Sequence, residues 1–191
     1  MSEDLVEAKV LTRPSVPVTV LTPRPGDRDD DCPRIEPAVP GDLDRLVAIE
    51  NAAFDPALYK PMSRRQFRFH LASERTILLV ARDATGTAMG YALGLCSRAT
   101  NYVRFYSLAV DPHTQGGRVG AALFPALEEA ARMRGSRGVQ CEIRADNAKL
   151  LSRYIALGYV PYRRVADFYP DGASCIKMKR DFSPLGSAQI R

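Results

Sequence analysis

The stretch of residues 107–127, SLAVDPHTQGGRVGAALFPAL, constrains the fold of this chain more than any other. An apolar run ends at Val110, and Pro112 breaks it because proline lacks an amide donor and restricts the preceding residue. A turn rich in glycine follows, with Gly116, Gly117 and Gly120. Apolar residues then recur at helical spacing, at Val119, Leu123 and Leu127. The pattern predicts a strand, a turn and a helix whose first amides favour a phosphate or pyrophosphate, although glycines alone leave open a turn that binds nothing.

Length and composition are typical of an ordinary globular domain. The chain has 191 residues, 46% hydrophobic and 26% charged, which suits one domain with a real core. No apolar run approaches the roughly 20 residues that cross a membrane, and the acidic N-terminus lacks a signal-peptide layout. The four cysteines lie far apart and histidine occurs only twice, which argues against a zinc site or disulfide framework. We therefore expect a cytoplasmic protein with no metal and no membrane partner.

The formal net charge of +5 is unevenly distributed along the chain. Residues 1–33 hold seven acidic and four basic side chains, a net charge of −3, so residues 34–191 carry +8. A basic body attracts polyanions. The arginines are scattered, with no nucleic-acid-binding motif beside them, so a small polyanionic ligand fits at least as well as nucleic acid. We expect no nucleic-acid partner.

The periodicity divides the chain into three parts. Residues 1–33 are predicted to form an irregular N-terminal extension, because half of the fourteen prolines fall within the first forty positions. Residues 34–182 are predicted to form the folded domain, and residues 183–191 a C-terminal tail. Predicted strands cover residues 35–39, 76–82, 88–97, 102–110, 139–144, 159–166 and 174–179. One predicted helix starts after residue 42, and three more cover residues 63–72, 117–134 and 147–157. These elements indicate an α/β fold with one mixed, mostly antiparallel sheet of about seven strands and about four helices.

Two motifs together point to a family. The first is V-x-P-x-x-Q-G-G-R-V-G-A-A-L over residues 110–123, and the second is E-I-R-A-D-N-x₆-Y-x₃-G-Y over residues 142–159. Together they resemble the GNAT superfamily, which transfers an acyl group from acyl-CoA to an amine. The resemblance covers about residues 34–180 and implies the GNAT fold. The spacing of the second motif is most similar to the branch that contains ribosomal-protein-alanine N-acetyltransferases.

The resemblance implies a site for acetyl-CoA at the first motif. The amides of residues 115–121 would hold the pyrophosphate at the start of the helix. The pantetheine arm would extend the open backbone of residues 108–110, where this strand splays from residues 139–144. The implied cofactor-binding residues are Leu108, Ala109, Val110, Gln115, Gly116, Gly117, Arg118, Val119, Gly120, Ala121, Asn147 and Tyr154.

Arg118 departs from the family pattern, because it stands where the family usually has glycine. A Cβ at this position could crowd the close approach of the backbone to a pyrophosphate. Gly117 could take up the tight conformation one position earlier, and the Arg118 guanidinium could pair with a phosphate. The alternative is a weakened or lost cofactor site.

Catalysis by direct transfer needs a base and an acid. An α-amine has a pKa of about 7.7–8.0 and lysine about 10.4, so the acceptor must lose a proton before it attacks. Glu142 is the candidate base, directly or through water, and its alternative is a strand glutamate paired with Arg144 or Arg104. Tyr154 matches the family tyrosine that protonates the leaving thiolate, and its alternative is packing within an amphipathic helix. A backbone N–H near Val110 would stabilise the oxyanion.

The sequence therefore predicts an N-acetyltransferase that acts through a ternary complex, without a covalent enzyme intermediate. The expected acceptor is a primary amine on a protein or peptide, and a small-molecule amine is the second candidate. An inactive module that binds or senses coenzyme A is the alternative from another class. The acceptor pocket falls on the least patterned parts of the chain, and the oligomeric state, monomer or homodimer, is left open.

Overall fold

A single seven-stranded sheet runs through the molecule. The computed structural model describes residues 32–182 apart from residues 55, 57–60, 98, 115–117 and 170. The strands are β1 (Arg34–Pro37), β2 (Thr76–Arg82), β3 (Ala88–Cys96), β4 (Tyr102–Val110), β5 (Gly138–Arg144), β6 (Val160–Val165) and β7 (Cys175–Asp181). The helices are α1 (Leu43–Ala53), α2 (Arg64–Ala72), α3 (Arg118–Met133) and α4 (Ala148–Ala156), and a short 3₁₀ helix over Pro40–Asp42 precedes α1. The strand order is β1-β2-β3-β4-β5-β7-β6.

The predicted fold class is confirmed over the described residues. The pair β4–β5 is parallel, and the other neighbouring strands in the sheet are antiparallel. Of the extension predicted over residues 1–33, only the last two residues are described. The tail predicted over residues 183–191 lies outside the described residues. Within the described chain, no helix combines the length and the apolar character that a membrane crossing requires.

Local capping signals account for where two of the helices begin and one ends. The Ser63 side chain accepts a hydrogen bond from the amide of Gln66 and thereby caps α2. The Asn147 side chain accepts from the amide of Leu150 at 3.0 Å and caps α4. Gly158 follows α4 with a φ of +85°, the left-handed conformation that glycine adopts at helix C-termini. These three features confirm the predictions made from the sequence.

The strand residues alternate between two cores, one on each face of the sheet. α1 and α2 cover the first face, which we call the α1/α2 face, over a core that includes Leu46, Ile49, Phe67, Tyr91 and Leu93. α3 and α4 cover the second face, which we call the α3/α4 face, over a core that includes Leu123, Leu127, Val139, Ile143 and Tyr154. The position of each side chain along a strand therefore decides which face it serves.

The parallel pair β4–β5 is short and then diverges. Its ladder runs from Tyr102 opposite Gly138 to Arg104 opposite Gln140, whereas β4 continues to Val110 and β5 to Arg144. No further pairing joins these two strands within the described part of the chain. On its other edge, β4 is shifted in register against β3, because Leu93 faces Ser107 and Gly94 faces Phe105, which leaves Tyr106 as an extra residue.

Gly138 permits the close pairing from which the two strands diverge. A Cβ at this position would lie 2.1 Å from the carbonyl oxygen of Arg180 on β7 and 2.9 Å from Cε1 of Tyr102 on β4. Backbone on one side and a buried ring on the other leave no room for a methyl group. Only glycine therefore fits where β5 enters the sheet.

We expect Gly138→Ala to lower the free energy of unfolding by about 2 kcal/mol, because either β7 or Tyr102 must move. Urea denaturation followed by circular dichroism measures the change. Gly41→Ala is the matched control: nothing lies within 4 Å of a Cβ there, and we expect a change below about 0.5 kcal/mol. Equal stabilities for the two variants would contradict the close packing at Gly138.

Candidate active site

Seven of the residues predicted to bind the cofactor lie where β4 ends and α3 begins. Leu108, Ala109 and Val110 are the last three residues of β4, with Leu108 and Ala109 buried and Val110 half-buried. They lie beyond the part of β4 that pairs with β5. The first turn of α3 contains Arg118, Val119, Gly120 and Ala121. The predicted contributions of Gln115, Gly116 and Gly117 lie outside the described residues.

Asp111 holds the start of the loop that follows β4 by hydrogen bonds. Its amide donates to the carbonyl of Met89 at 2.8 Å, and its carboxylate accepts from the amide of His113 at 2.9 Å. The guanidinium of Arg45 on α1 also contacts this carboxylate, and its Nε donates to the carbonyl of Ala88 at 2.7 Å. The His113 amide and the Arg45 guanidinium lower the pKa of Asp111 to about 2. The start of the loop is therefore tied to α1 and to β3.

Gly90 on β3 brings α3 close to the end of β4. A Cβ at Gly90 would lie 2.8 Å from the carbonyl oxygen of Ala109 and 2.8 Å from Cγ1 of Val119. The glycine thus lets the first turn of α3 pack directly on β3, next to the end of β4 that pairs with it. Arg118, the first residue of this 16-residue helix, is half-buried. A helix N-terminus with a cationic side chain beside an open strand edge fits a diphosphate joined to a chain of amides.

Tyr154 lies on the α3/α4 face and is 2% exposed. Its ring packs edge-on against Phe124 of α3, with ring centroids 5.4 Å apart, and against Tyr159 at 5.1 Å. The packing alternative for Tyr154 therefore applies, and it is compatible with the predicted acid role of the hydroxyl, which stays a prediction. Asn147 caps α4, as predicted, and its predicted contact with the cofactor stays a prediction.

Glu142 lies on the α1/α2 face, in the part of the sheet that contains β5 and β7. Its Oε2 accepts from Nε of Arg104 on β4 at 2.9 Å, and its Oε1 lies 3.6 Å from Nζ of Lys177 on β7. The Glu142 side chain is 11% exposed. The sequence suggested Arg144 or Arg104 as the partner of Glu142. Arg104 contacts Glu142, whereas Arg144 contacts Asp146. Glu142 is thus a mostly buried carboxylate held by cations from two neighbouring strands.

Glu142 and Tyr154 lie on opposite faces of the sheet. Cys141 and Ile143, which flank Glu142 in the chain, belong to the same core as Tyr154. Burial raises the pKa of the Cys141 thiol, so this cysteine serves as core rather than as a nucleophile. The described pairing of β4 with β5 ends at Arg104 and Gln140, so beyond this point the two strands separate between the faces that carry Glu142 and Tyr154. The described residues contain no cluster of histidine, cysteine or carboxylate side chains arranged to hold a metal ion.

Sequence reasoning missed a buried polar network under β4. Glu50 on α1 is fully buried, and its Oε1 accepts from the amide of Met62 at 2.6 Å. The hydroxyl of Tyr91 donates to the other carboxylate oxygen and lies 3.1 Å from Oγ of Ser107. Glu50 follows Leu43 by seven residues, which places both side chains on the apolar side of α1. This spacing is the signal from which the burial of Glu50 could have been predicted.

Comparisons with known proteins agree with this geometry. The model of the acetyltransferase (GNAT) domain family matches residues 46–182. An uncharacterized protein of Mycobacterium leprae (strain TN) is 30% identical over 145 residues, which is 74% of this chain and 39% of that protein. A mycothiol acetyltransferase of Propionibacterium freudenreichii subsp. shermanii is 31% identical over 127 residues, which is 62% of this chain and 40% of that protein. The chain thus spans about two fifths of the length of these relatives.

A solved structure extends the comparison to the fold. The ribosomal-protein-S18-alanine N-acetyltransferase from Escherichia coli superposes with a TM-score of 0.69 at 25% identity. The superposition covers 82% of this chain and 97% of that one. The family model covers both motifs that carry the resemblance, and the neighbour shares the fold. This chain therefore belongs to the GNAT acetyltransferase family.

Proposed function

We propose that this chain is an N-acetyltransferase that moves the acetyl group of acetyl-CoA to a primary amine by direct attack in a ternary complex. The divergence of β4 and β5 next to the N-terminus of α3 is the observation that carries the proposal. A strand edge without a partner strand can pair with an extended chain of amides, and a helix N-terminus suits a diphosphate. Coenzyme A contains both groups in one molecule.

The residues that would hold acetyl-CoA follow from this arrangement. The main chain of residues 108–110 would pair with the pantetheine amides, and the amides of residues 115–121 would contact the pyrophosphate. The Arg118 guanidinium would add a charge-assisted hydrogen bond to a phosphate oxygen. The Asn147 side chain would contact the cofactor while its oxygen continues to cap α4.

Transfer of the acetyl group is helped by a base near the amine and an acid near the leaving sulfur. Glu142 would accept a proton from the acceptor ammonium, so that the amine nitrogen can bond to the acetyl carbon as the carbon–sulfur bond breaks. The Tyr154 hydroxyl would donate its proton to the departing thiolate, and the second proton that the amine nitrogen loses as the amide forms would restore the hydroxyl through solvent. The amide near Val110 would donate a hydrogen bond to the acetyl oxygen as negative charge develops there.

A protein or peptide amine is the acceptor that the branch resemblance favours. The similarity to a ribosomal-protein-alanine N-acetyltransferase, which covers nearly all of that enzyme, supports this acceptor. The mycothiol acetyltransferase relative supports a small-molecule amine as the second candidate. Arg118 in place of glycine is the observation that favours a module which binds coenzyme A without turnover.

An assay of thiol release separates the enzyme from an inactive binding module. We expect acetyl-CoA to raise the melting temperature, because a ligand that binds only the folded state stabilises it. We also expect free thiol to appear when a panel of peptide and small-molecule primary amines is added. Stabilisation without thiol release from any amine would favour the binding module. Absence of stabilisation at millimolar acetyl-CoA would contradict the cofactor site.

Removal of the proposed base tests the role of Glu142. We expect Glu142→Gln to lower kcat by about 100-fold or more, because the amide keeps the shape of the side chain but cannot take a proton. Calorimetry should give an unchanged Kd for acetyl-CoA. Glu129→Gln, an exposed glutamate on α3 that contacts Arg132, is the control and should leave kcat unchanged. Wild-type kcat for Glu142→Gln would remove this residue from catalysis.

Removal of the proposed acid tests the role of Tyr154. We expect Tyr154→Phe to lower kcat on the order of tenfold or more while the ring packing against Phe124 persists. Tyr159→Phe is the matched variant, because it deletes a buried hydroxyl that donates to Glu128 at 2.7 Å. We expect that variant to lose stability and to keep the rate of the chemical step in single-turnover kinetics. Unchanged single-turnover rates for Tyr154→Phe would assign Tyr154 to packing alone.

A further inference from the structure

Among the described side chains, those that contact Glu142 carry more positive charge than Glu142 carries negative charge. Glu142, Arg104 and Lys177 together carry a net charge of +1. The next residue on the same face of β5 contrasts with them, because Arg144 contacts two carboxylates, those of Asp146 at 2.9 Å and Asp171 at 2.8 Å. The excess of positive charge is therefore local to Glu142, at the position where the acceptor amine must arrive.

Each of the two cations is held beside an aromatic ring. The guanidinium of Arg104 lies 5.8 Å from the ring centroid of Tyr106, and Nζ of Lys177 lies 5.7 Å from that of Phe168. Contacts of this kind orient a cation without neutralising its charge. The Arg104 and Lys177 side chains are 25% and 26% exposed, so a solvent-borne molecule can reach both. The site thus presents two oriented cations to an incoming acceptor.

A primary amine is mostly protonated at neutral pH and arrives as an ammonium ion. A carboxylate already balanced by two cations attracts an ammonium ion weakly, and the second cation repels it. A negative group next to the amine removes this repulsion, because it can pair with Lys177 while the ammonium ion approaches Glu142. The Lys177 contact with Glu142 is the longer of the two, at 3.6 Å against 2.9 Å for Arg104, and so is the easier to exchange.

We propose that the acceptor carries a carboxylate next to its primary amine, and that Lys177 and Arg104 select it. The proposal rests on the acetyl-transfer function given above and specifies the acceptor of that reaction. The acceptor carboxylate pairs with Lys177, which leaves Glu142 to receive the ammonium proton. Both an acidic chain N-terminus and a free amino diacid contain this chemistry.

Acceptors of equal size and different charge test the proposal. One set consists of peptides that begin with alanine and have glutamate, glutamine or lysine in second place; the other consists of aspartate and its diamide. We expect kcat/KM to fall on the order of tenfold from glutamate to glutamine, and further to lysine. A preference within the peptides identifies a chain N-terminus as the source, and a preference confined to aspartate identifies a free amino acid.

Variants on one strand separate selection from general charge. Lys177→Gln should reduce the glutamate preference to less than about threefold through the KM of the acceptor, with the KM of acetyl-CoA unchanged. Lys177→Arg should restore the preference. Lys179→Gln is the control, because Lys179 lies two residues further along β7 and contacts Asp181 at 3.2 Å. We expect this control to keep the full preference.

Two failures of the experiment are distinguishable. Equal kcat/KM for the charged and neutral acceptors, or a preference that survives in Lys177→Gln, would overturn selection by Lys177 and leave acetyl transfer standing. Absence of thiol release with every amine would overturn the proposed transfer itself, and with it the acceptor proposal.

Discussion

The short parallel pairing of β4 with β5 is the constraint on which the rest of the structure depends. The backbone amides and carbonyls of two paired strands hydrogen-bond to each other. β4 and β5 separate after three residue pairs, which leaves backbone donors and acceptors that a ligand can use. Gly138 lets the strands lie close together at the paired end. Just beyond it, the extra residue Tyr106 shifts the register of β4 against β3. α3 then packs on β3 next to the end of β4, because Gly90 leaves room for Val119. One backbone feature thus places a strand edge beside a helix N-terminus.

The sequence predicted this framework because its signals are local. The alternation over residues 139–144 placed Cys141 and Glu142 on opposite faces, and capping side chains fixed the start of α4. The partners of Glu142 were only partly predictable. Arg104 and Lys177 lie 38 and 35 residues away in the chain, and strand order alone brings them beside Glu142. No spacing rule encodes a strand order in which β7 lies between β5 and β6.

The buried network around Glu50 illustrates the same limit with a different cause. A carboxylate inside an apolar core is costly unless it is hydrogen-bonded, and the partners here come from a loop and two strands. From the sequence, Glu50 is predicted as a polar residue of an amphipathic helix. Helical spacing predicts the face on which a residue lies, but it does not predict which residues hydrogen-bond to it. The network joins α1, Met62 and β3 under β4, so it supports the strand whose open edge defines the candidate site.

The sheet also separates two requirements that the family must meet. The residues proposed to hold the cofactor lie at the β4–α3 junction and on the α3/α4 face, where Phe124 and Tyr154 pack against each other. The groups that would meet an acceptor lie on the α1/α2 face, beside β5 and β7, on half-exposed side chains such as Lys177. Substitutions on this second face can alter the charge presented to an amine without touching the first. The family resemblance therefore supports a protein or peptide amine as the acceptor, whereas the chemistry next to that amine has to be argued from the side chains around Glu142.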